Sequence, residues 1–299
     1  MAQEGFPLKA WFAYLIVALV WGSTYFAIAL GIESFQTFGM VASRYLAGGL
    51  LALLLSRLSG EAWPLKQDLP HLMLQGFLLL TISNALVTWA EGSVSSGATA
   101  VLCSTTPLCY AILGREKLGW RSWLGLGLGL GGVAILILSR SGAQTLGLAG
   151  VGAILVAVFL WAYGTLHGRR YVKGQGLLGQ VGIQMLTGGT LALLLVPFTG
   201  GFLHAPLTWK AGLAAGYLAV FGSLVAYSAF VYLSKTWPPT KMSTYVYINP
   251  VVAVLLGCLF IGEPFNGLMA FGMAIILAGV GLLQTAKPAT DTACPCGTE

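Results

Sequence analysis

Charge is what this chain has least of: 8% of its 299 residues are charged, and Asp and Glu number nine, where an ordinary soluble domain is about 25% charged. No carboxylate falls in the middle of a long apolar run. Proton-coupled exporters of organic cations generally need such an embedded acid to bind cation and proton alternately, so that mechanism loses weight and neutral or zwitterionic solutes gain it. The three histidines, His71, His167 and His204, have no ligand spacing with one another, which leaves an embedded metalloenzyme with little support. Cys103, Cys109 and Cys258 lie in apolar stretches as small hydrophobes. Cys294 and Cys296 sit in a polar tail, two thiols without a further ligand, so neither a disulfide framework nor a metal site is expected. Clustered nucleophiles and bases are also missing, and an enzyme is not expected.

What is present is apolar surface, 57% of the residues, more than a soluble core could hide. Long apolar runs fall at about 10–30, 36–56, 70–91, 95–113, 120–138, 148–166, 178–197, 210–234, 241–262 and 266–285. Each approaches the roughly 20 helical residues that cross a bilayer. They are continuously apolar rather than alternating, which favours helices over barrel strands. The first run is longer than a typical signal-peptide core and is read as retained. Gly127-Leu128-Gly129-Leu130-Gly131-Gly132 satisfies G-x-G-x-x-G, but it lies within an apolar run with no strand before it, so it reads as close helix packing. No cofactor is expected.

The formal net charge of +6 could suggest nucleic acid, but sidedness accounts for it better. With ten spans, Lys9, Arg57, Lys66, Arg115, Lys117, Arg121, Arg169, Arg170, Lys173, Lys235, Lys241 and Lys287 share the N-terminal side. Arg140 and Lys210 lie opposite, and Arg44 is left inside a span. That asymmetry is the positive-inside pattern of a chain with both termini in the cytoplasm. The expected partners are therefore lipid and a small-molecule substrate, not nucleic acid.

The chain also repeats itself. An offset of 140 aligns Gly48-Gly49-Leu50-Leu51-Ala52-Leu53-Leu54-Leu55 with Gly188-Gly189-Thr190-Leu191-Ala192-Leu193-Leu194-Leu195, and Trp21 with Trp161. Growing offsets pair Pro107 with Pro250, Glu116 with Glu263, Gly125 with Gly272 and Gly132 with Gly279. Five spans per copy is odd, so the second copy enters from the opposite side. The expected fold is all-α: ten transmembrane helices as two inverted five-helix repeats, 1–143 and 144–285, around a central cavity, with a cytoplasmic tail at 286–299. Inverted repeats are characteristic of secondary transporters, with the site near the midplane at the repeat interface. One chain completes one cavity, so a monomer is the simpler expectation.

Polar residues within apolar runs locate that cavity. Thr81, Asn84, Thr88 and Glu91 follow helical steps of 3, 4 and 3, and Ser223, Tyr227 and Ser234 repeat the idea. Thr99, Cys103, Thr106 and Tyr110 flank Pro107; Tyr245 and Asn249 precede Pro250; Trp21 pairs with Tyr25, Trp161 with Thr165, and Tyr163 with His167. The substrate-binding candidates are Trp21, Tyr25, Asn84, Thr88, Cys103, Thr106, Trp161, Tyr163, Ser223, Tyr227, Tyr245 and Asn249. Pro107 and Pro250 are candidate hinges, since proline removes a backbone donor. Each residue also has a packing role open to it, in helix contacts or aromatic belts. Arg44 could bind a carboxylate bidentately, but a structural arginine bound to helix-end carbonyls with its head towards the interface carries more weight.

With Trp21-Gly22-Ser23-Thr24, Arg44 before Ala47 and Gly48, Pro107 and Pro250, and Gly262-Glu263, the chain over 10–285 resembles the drug/metabolite transporter superfamily, specifically the EamA-type ten-helix transporters. Its first copy has Arg115-Glu116 where the pattern has Gly-Glu. The uncharged interior bearing Trp and Tyr is similar to that of bacterial exporters of aromatic and other neutral amino acids. The resemblance implies a bacterial inner-membrane protein exporting solute by alternating access, the two repeats rocking about a central site. Drugs, or nucleotide, purine-type or anionic metabolites, are the alternative substrates.

Overall fold

The computed structural model describes residues 7–90, 93–94, 99, 102–139, 147–256, 258–259 and 265–286. Glu91, Arg140, Gly262-Glu263, Lys287 and the Cys294/Cys296 tail lie outside the described residues. Among those described, eight helices are long and apolar enough to cross a membrane: α1 Leu8–Gly31, α2 Thr37–Leu58, α3 Lys66–Ala90, α5 Trp120–Leu138, α6 Leu148–Tyr171, α7 Leu177–Phe198, α8 Trp209–Thr236 and α10 Gly267–Thr285. Shorter helices between them include α4 Thr106–Leu113 and α9 Tyr245–Leu256. Continuous spans were expected at 95–113 and 241–262. Instead α4 follows a turn at 104–105, with Pro107 in its first turn where a missing N–H costs nothing. Pro250 lies inside α9.

The outward faces are as apolar as the interior. Leu138, Leu148 and Leu194 are exposed, which suits lipid rather than water. In lipid the backbone groups of a helix pair along their own segment, and side chains cap two of the helix starts. The Thr208 hydroxyl accepts from Ala211 N at 3.2 Å, and Asn266 Oδ1 accepts from Met269 N at 2.9 Å. Gly176 precedes α7 at φ 86, where a Cβ would lie 1.9 Å from Ala62 O. Only glycine fits there.

Two helix pairs dominate the packing, α2 with α7 and α5 with α10, and both meet backbone to backbone at glycine. A methyl group on Gly49 would lie 2.9 Å from Leu186 N, and one on Gly189 2.8 Å from Leu46 N. Across α5 and α10 a Cβ on Gly125 would lie 2.8 Å from Gly279 O, and one on Gly132 2.9 Å from Gly272 O. Both sets of contacts are reciprocal at the sequence offsets of 140 and 147. The first helix of each half packs against the other half: α1 against α8 and α9, α6 against α3 and α4.

Replacing Gly279 with Ala should destabilise the protein, since the methyl meets Gly129 N at 2.7 Å and Gly125 O at 2.8 Å; overpacking of this kind costs about 1–3 kcal/mol. Gly127→Ala, with nothing within 4 Å, should leave stability unchanged or raised, as Ala is favoured in helices by about 1 kcal/mol. Thermal denaturation of both variants in detergent checks the contrast.

Candidate functional site

Both α3 and α8 contain a π-helical stretch at mid-length, Gly76–Ser83 and Leu218–Val225. Such turns are frequent at functional sites. Here side chains add bonds to their carbonyls. Asn84 Nδ2 donates to Leu79 O at 3.0 Å, and the indole Nε1 of Trp21 donates to Gly222 O at 2.9 Å. In α3 the extra residue per turn also rotates the polar stripe. Thr81 turns to α7 and donates to Gly188 O at 3.0 Å, while Ser83 and Asn84 face a cavity.

That cavity, about 140 Å³, lies between α1, α2, α3, α6, α8, α9 and the segment 103–106. It brings together Trp21 and Tyr25 from α1, Asn84 from α3, Cys103 and Thr106 before and at the start of α4, Trp161 from α6, Tyr227 from α8, and Tyr245 and Asn249 from α9. Trp21 is the hub of its aromatic wall, edge-on to Trp161 with centroids 5.6 Å apart and to Tyr245 at 5.1 Å, with Phe230 at 5.3 Å. Trp161 Nε1 is buried without a hydrogen-bond partner among the described residues. Asn249, its amide nitrogen turned to the carbonyls of Ala18 and Tyr245 at 3.0 Å each, has both N–H groups committed and only its oxygen left for the cavity.

Three candidates stand elsewhere. Tyr163 is exposed and stacks on Phe159; two residues on from Trp161 it lies about 200° round the helix, so both cannot face the cavity. Thr88 is buried outside the lining. Ser223 is buried behind the wall and accepts from Arg44 Nε at 3.1 Å. Arg44, weighed as a structural arginine, is buried at 6% exposure and lines the cavity. No helix-end carbonyl binds it among the described residues. Its repeat counterpart Gln184 instead donates to Gln75 Oε1 at 2.9 Å and accepts from the Tyr227 hydroxyl at 2.7 Å. Thr24, Ile28, Tyr45, Ser83, Val87, Val158, Gly222 and Val246 also line the cavity and escaped sequence reasoning, most being apolar or small. His71 and His167, without any sequence spacing to link them, meet at 3.0 Å between α3 and α6.

Towards the end of α1 that carries Leu8, the path below the cavity is filled by large side chains. Tyr110, Phe230 and Trp237 are fully buried, Tyr14 stacks on Trp237 with centroids 5.3 Å apart, and the Tyr14 hydroxyl meets Thr244 Oγ1 at 2.6 Å. The cavity's lining on α1, Trp21 to Ile28, lies towards the other end of that helix.

Many apolar helices around a partly enclosed aromatic cavity make a multi-pass membrane transporter. More narrowly, the chain belongs to the EamA-like transporter family, whose model matches residues 8–138 and again 148–285, in keeping with the resemblance drawn from its motifs. It is 35% identical to the uncharacterized inner membrane transporter YedA of Escherichia coli K12 over 92% of this chain and 90% of that one. A probable terminal-alkyne amino-acid exporter of Streptantibioticus cattleyicolor is 25% identical, covering 92% and 93%. One solved crystal structure shares the fold with a TM-score of 0.78 at 19% identity, over 91% of this chain and 95% of that one. The family and the named relatives are transporters rather than enzymes.

Trp21→Phe keeps an aromatic ring but leaves Gly222 O without its donor. Stability in detergent should fall by about 1–3 kcal/mol, the cost of stranding a buried polar group. Tyr163→Ala, on the outer surface, should alter transport by less than twofold in reconstituted vesicles.

Proposed function

We propose that the protein is a secondary transporter exporting small neutral or zwitterionic metabolites, chiefly aromatic and other neutral amino acids, by alternating access. The carrying observation is the cavity: an aromatic wall, a few amide and hydroxyl groups, and a single charge. Its volume, about 140 Å³, is close to the roughly 150 Å³ that holds benzene in an engineered core. It is below the roughly 300 Å³ of ordinary ligand pockets. An aromatic ring fits, and a whole amino acid requires the walls to part, as they would in an alternating cycle. The relative named an amino-acid exporter supports the same substrate class.

The scaffold belonging to this reading is two inverted repeats, 1–143 and 144–285, contributing ten helical passes, with a cytoplasmic tail at 286–299. Support comes from the reciprocal glycine contacts, the exchange of α1 and α6 between halves, and the turns at 104–105 and 243–244 just ahead of α4 and α9. Discontinuous helices at the repeat interface are typical of transporter sites. The concentration of Lys and Arg on the N-terminal side argues for cytoplasmic termini, which puts the buried Tyr14 and Trp237 on the cytoplasmic side in this reading. The two repeats fill one chain, so the transporting unit in this reading is a monomer.

Arg44 favours a second reading, in which anionic metabolites are carried. Efflux of labelled phenylalanine, methionine and threonine from proteoliposomes should exceed that from empty vesicles, with phenylalanine fastest. No flux of any of the three removes the amino-acid reading, and flux of a nucleotide or dicarboxylate in their place establishes the second.

A further inference from the structure

Arg44 is a cation in a place that gives it no counter-ion among the described residues. It lies on α2 within the membrane-spanning part of the molecule, at 6% exposure, and no carboxylate pairs with it among the described residues. Of its five N–H groups, the one on Nε goes to Ser223 Oγ at 3.1 Å. Nη1 and Nη2 donate to nothing among the described residues, though the side chain lines the cavity. Charges buried in a membrane protein normally pair with one another or with backbone carbonyls. The Tyr45 ring 4.8 Å from the guanidinium carbon offsets part of the charge but accepts no hydrogen bond in the guanidinium plane.

The arrangement is also oriented. Ser223 holds the Nε edge from behind, and Gly222 leaves the other side clear: a Cβ there would lie 3.3 Å from Nη2. What remains towards the cavity is the two-pronged end of a planar guanidinium, which matches the two oxygens of a carboxylate. A point-like cation such as lysine would not impose that match. The corresponding position in the second half, Gln184, is neutral and satisfied by Gln75 and Tyr227, so among the described residues the lining offers one such fork.

We propose that Arg44 is the carboxylate-binding residue of the transport site, its free Nη1/Nη2 edge pairing with the single carboxylate of the substrate while Ser223 positions it. This rests on the amino-acid reading above and narrows it: the transported species carries one carboxylate, and amines or amides of the same shape are rejected. The aromatic wall around Trp21 then takes the apolar part of the solute. Two carboxylates would leave one unpaired.

The test uses purified, reconstituted full-length protein and competition against labelled phenylalanine efflux. Phenylalanine and 3-phenylpropanoate should compete, whereas phenylalaninamide and phenethylamine, which lack the carboxylate, should be weaker by about 10- to 100-fold, the worth of hydrogen bonds to a charged group. Arg44→Gln should weaken the carboxylates by that factor and erase the difference between acid and amide, with Arg44→Lys recovering only part. Equal competition by acid and amide in the wild type overturns the proposal, as does discrimination that survives Arg44→Gln. Should Arg44→Gln fail to fold, the wild-type ligand series decides alone. Should no amino acid be transported, ligand-induced thermal stabilisation of the wild type by the same four compounds still reads the carboxylate preference, separating failure of this assignment from failure of the amino-acid reading. Stabilisation by chloride equal to that by 3-phenylpropanoate would make Arg44 a general anion site and overturn the carboxylate assignment.

Discussion

In hydrocarbon, helices gain nothing by hiding leucine from a solvent as apolar as leucine, so what joins them is close contact. Here that contact is glycine against backbone, in the α2–α7 and α5–α10 pairs. The reciprocity at Gly49 and Gly189, and at Gly125, Gly132, Gly272 and Gly279, gives each pair the character of a two-fold contact, in which one patch serves both sides. Of these pairs α2 still contributes Arg44 and Tyr45 to the interior, which α1, α3, α6, α8 and α9 complete without filling it. A cavity in a membrane protein needs rigid neighbours, and the glycine seams supply them.

The interior shows where polar chemistry is spent. Most polar groups beside the cavity are already committed. Trp21 serves Gly222 O, Asn84 serves Leu79 O, Asn249 gives both amide hydrogens to carbonyls, and Gln184 is held by Gln75 and Tyr227. Much of this bonding repairs the backbone that the π turns in α3 and α8 disturb. What is left facing the cavity is mostly ring surface, the Trp161 N–H and the outer edge of Arg44. A solute is therefore recognised largely by shape and stacking, with few directional bonds.

Much of this was legible in the chain itself, because bilayers make polar residues in apolar runs conspicuous. Trp21, Asn84, Trp161, Tyr227 and Asn249 were found that way, and all five line the cavity. The apolar lining, Val87, Val158 and Val246, carries no such mark, since a valine facing a cavity looks like one facing lipid. Tyr163 failed for a geometric reason, being on the opposite side of α6 from Trp161. In α3 the 3.6-residue period was applied across a stretch that does not keep it, and Thr81 and Asn84 part company there. The turns at 104–105 and 243–244 were invisible for a related reason: hydropathy reports how much apolar chain is available, not where a helix within it is interrupted.

Arg44 shows the limit of reading residues one at a time. From its position eight residues into a span, an arginine whose head reaches back to the interface is the sound expectation, because most arginines so placed can escape to water. Its fate is decided instead by Ser223, 179 positions away, which takes the Nε hydrogen, and by Gly222, whose missing side chain keeps Nη2 clear. Both lie on the π stretch of α8, the same irregular turn whose carbonyl Trp21 covers. One local departure from α-helical geometry in the second half thus fixes the aromatic hub and the cationic edge of a cavity built mostly from the first. A regular helix through 218–225 would shift Ser223 and Gly222 relative to each other, and the cation and the aromatic wall would lose their common support.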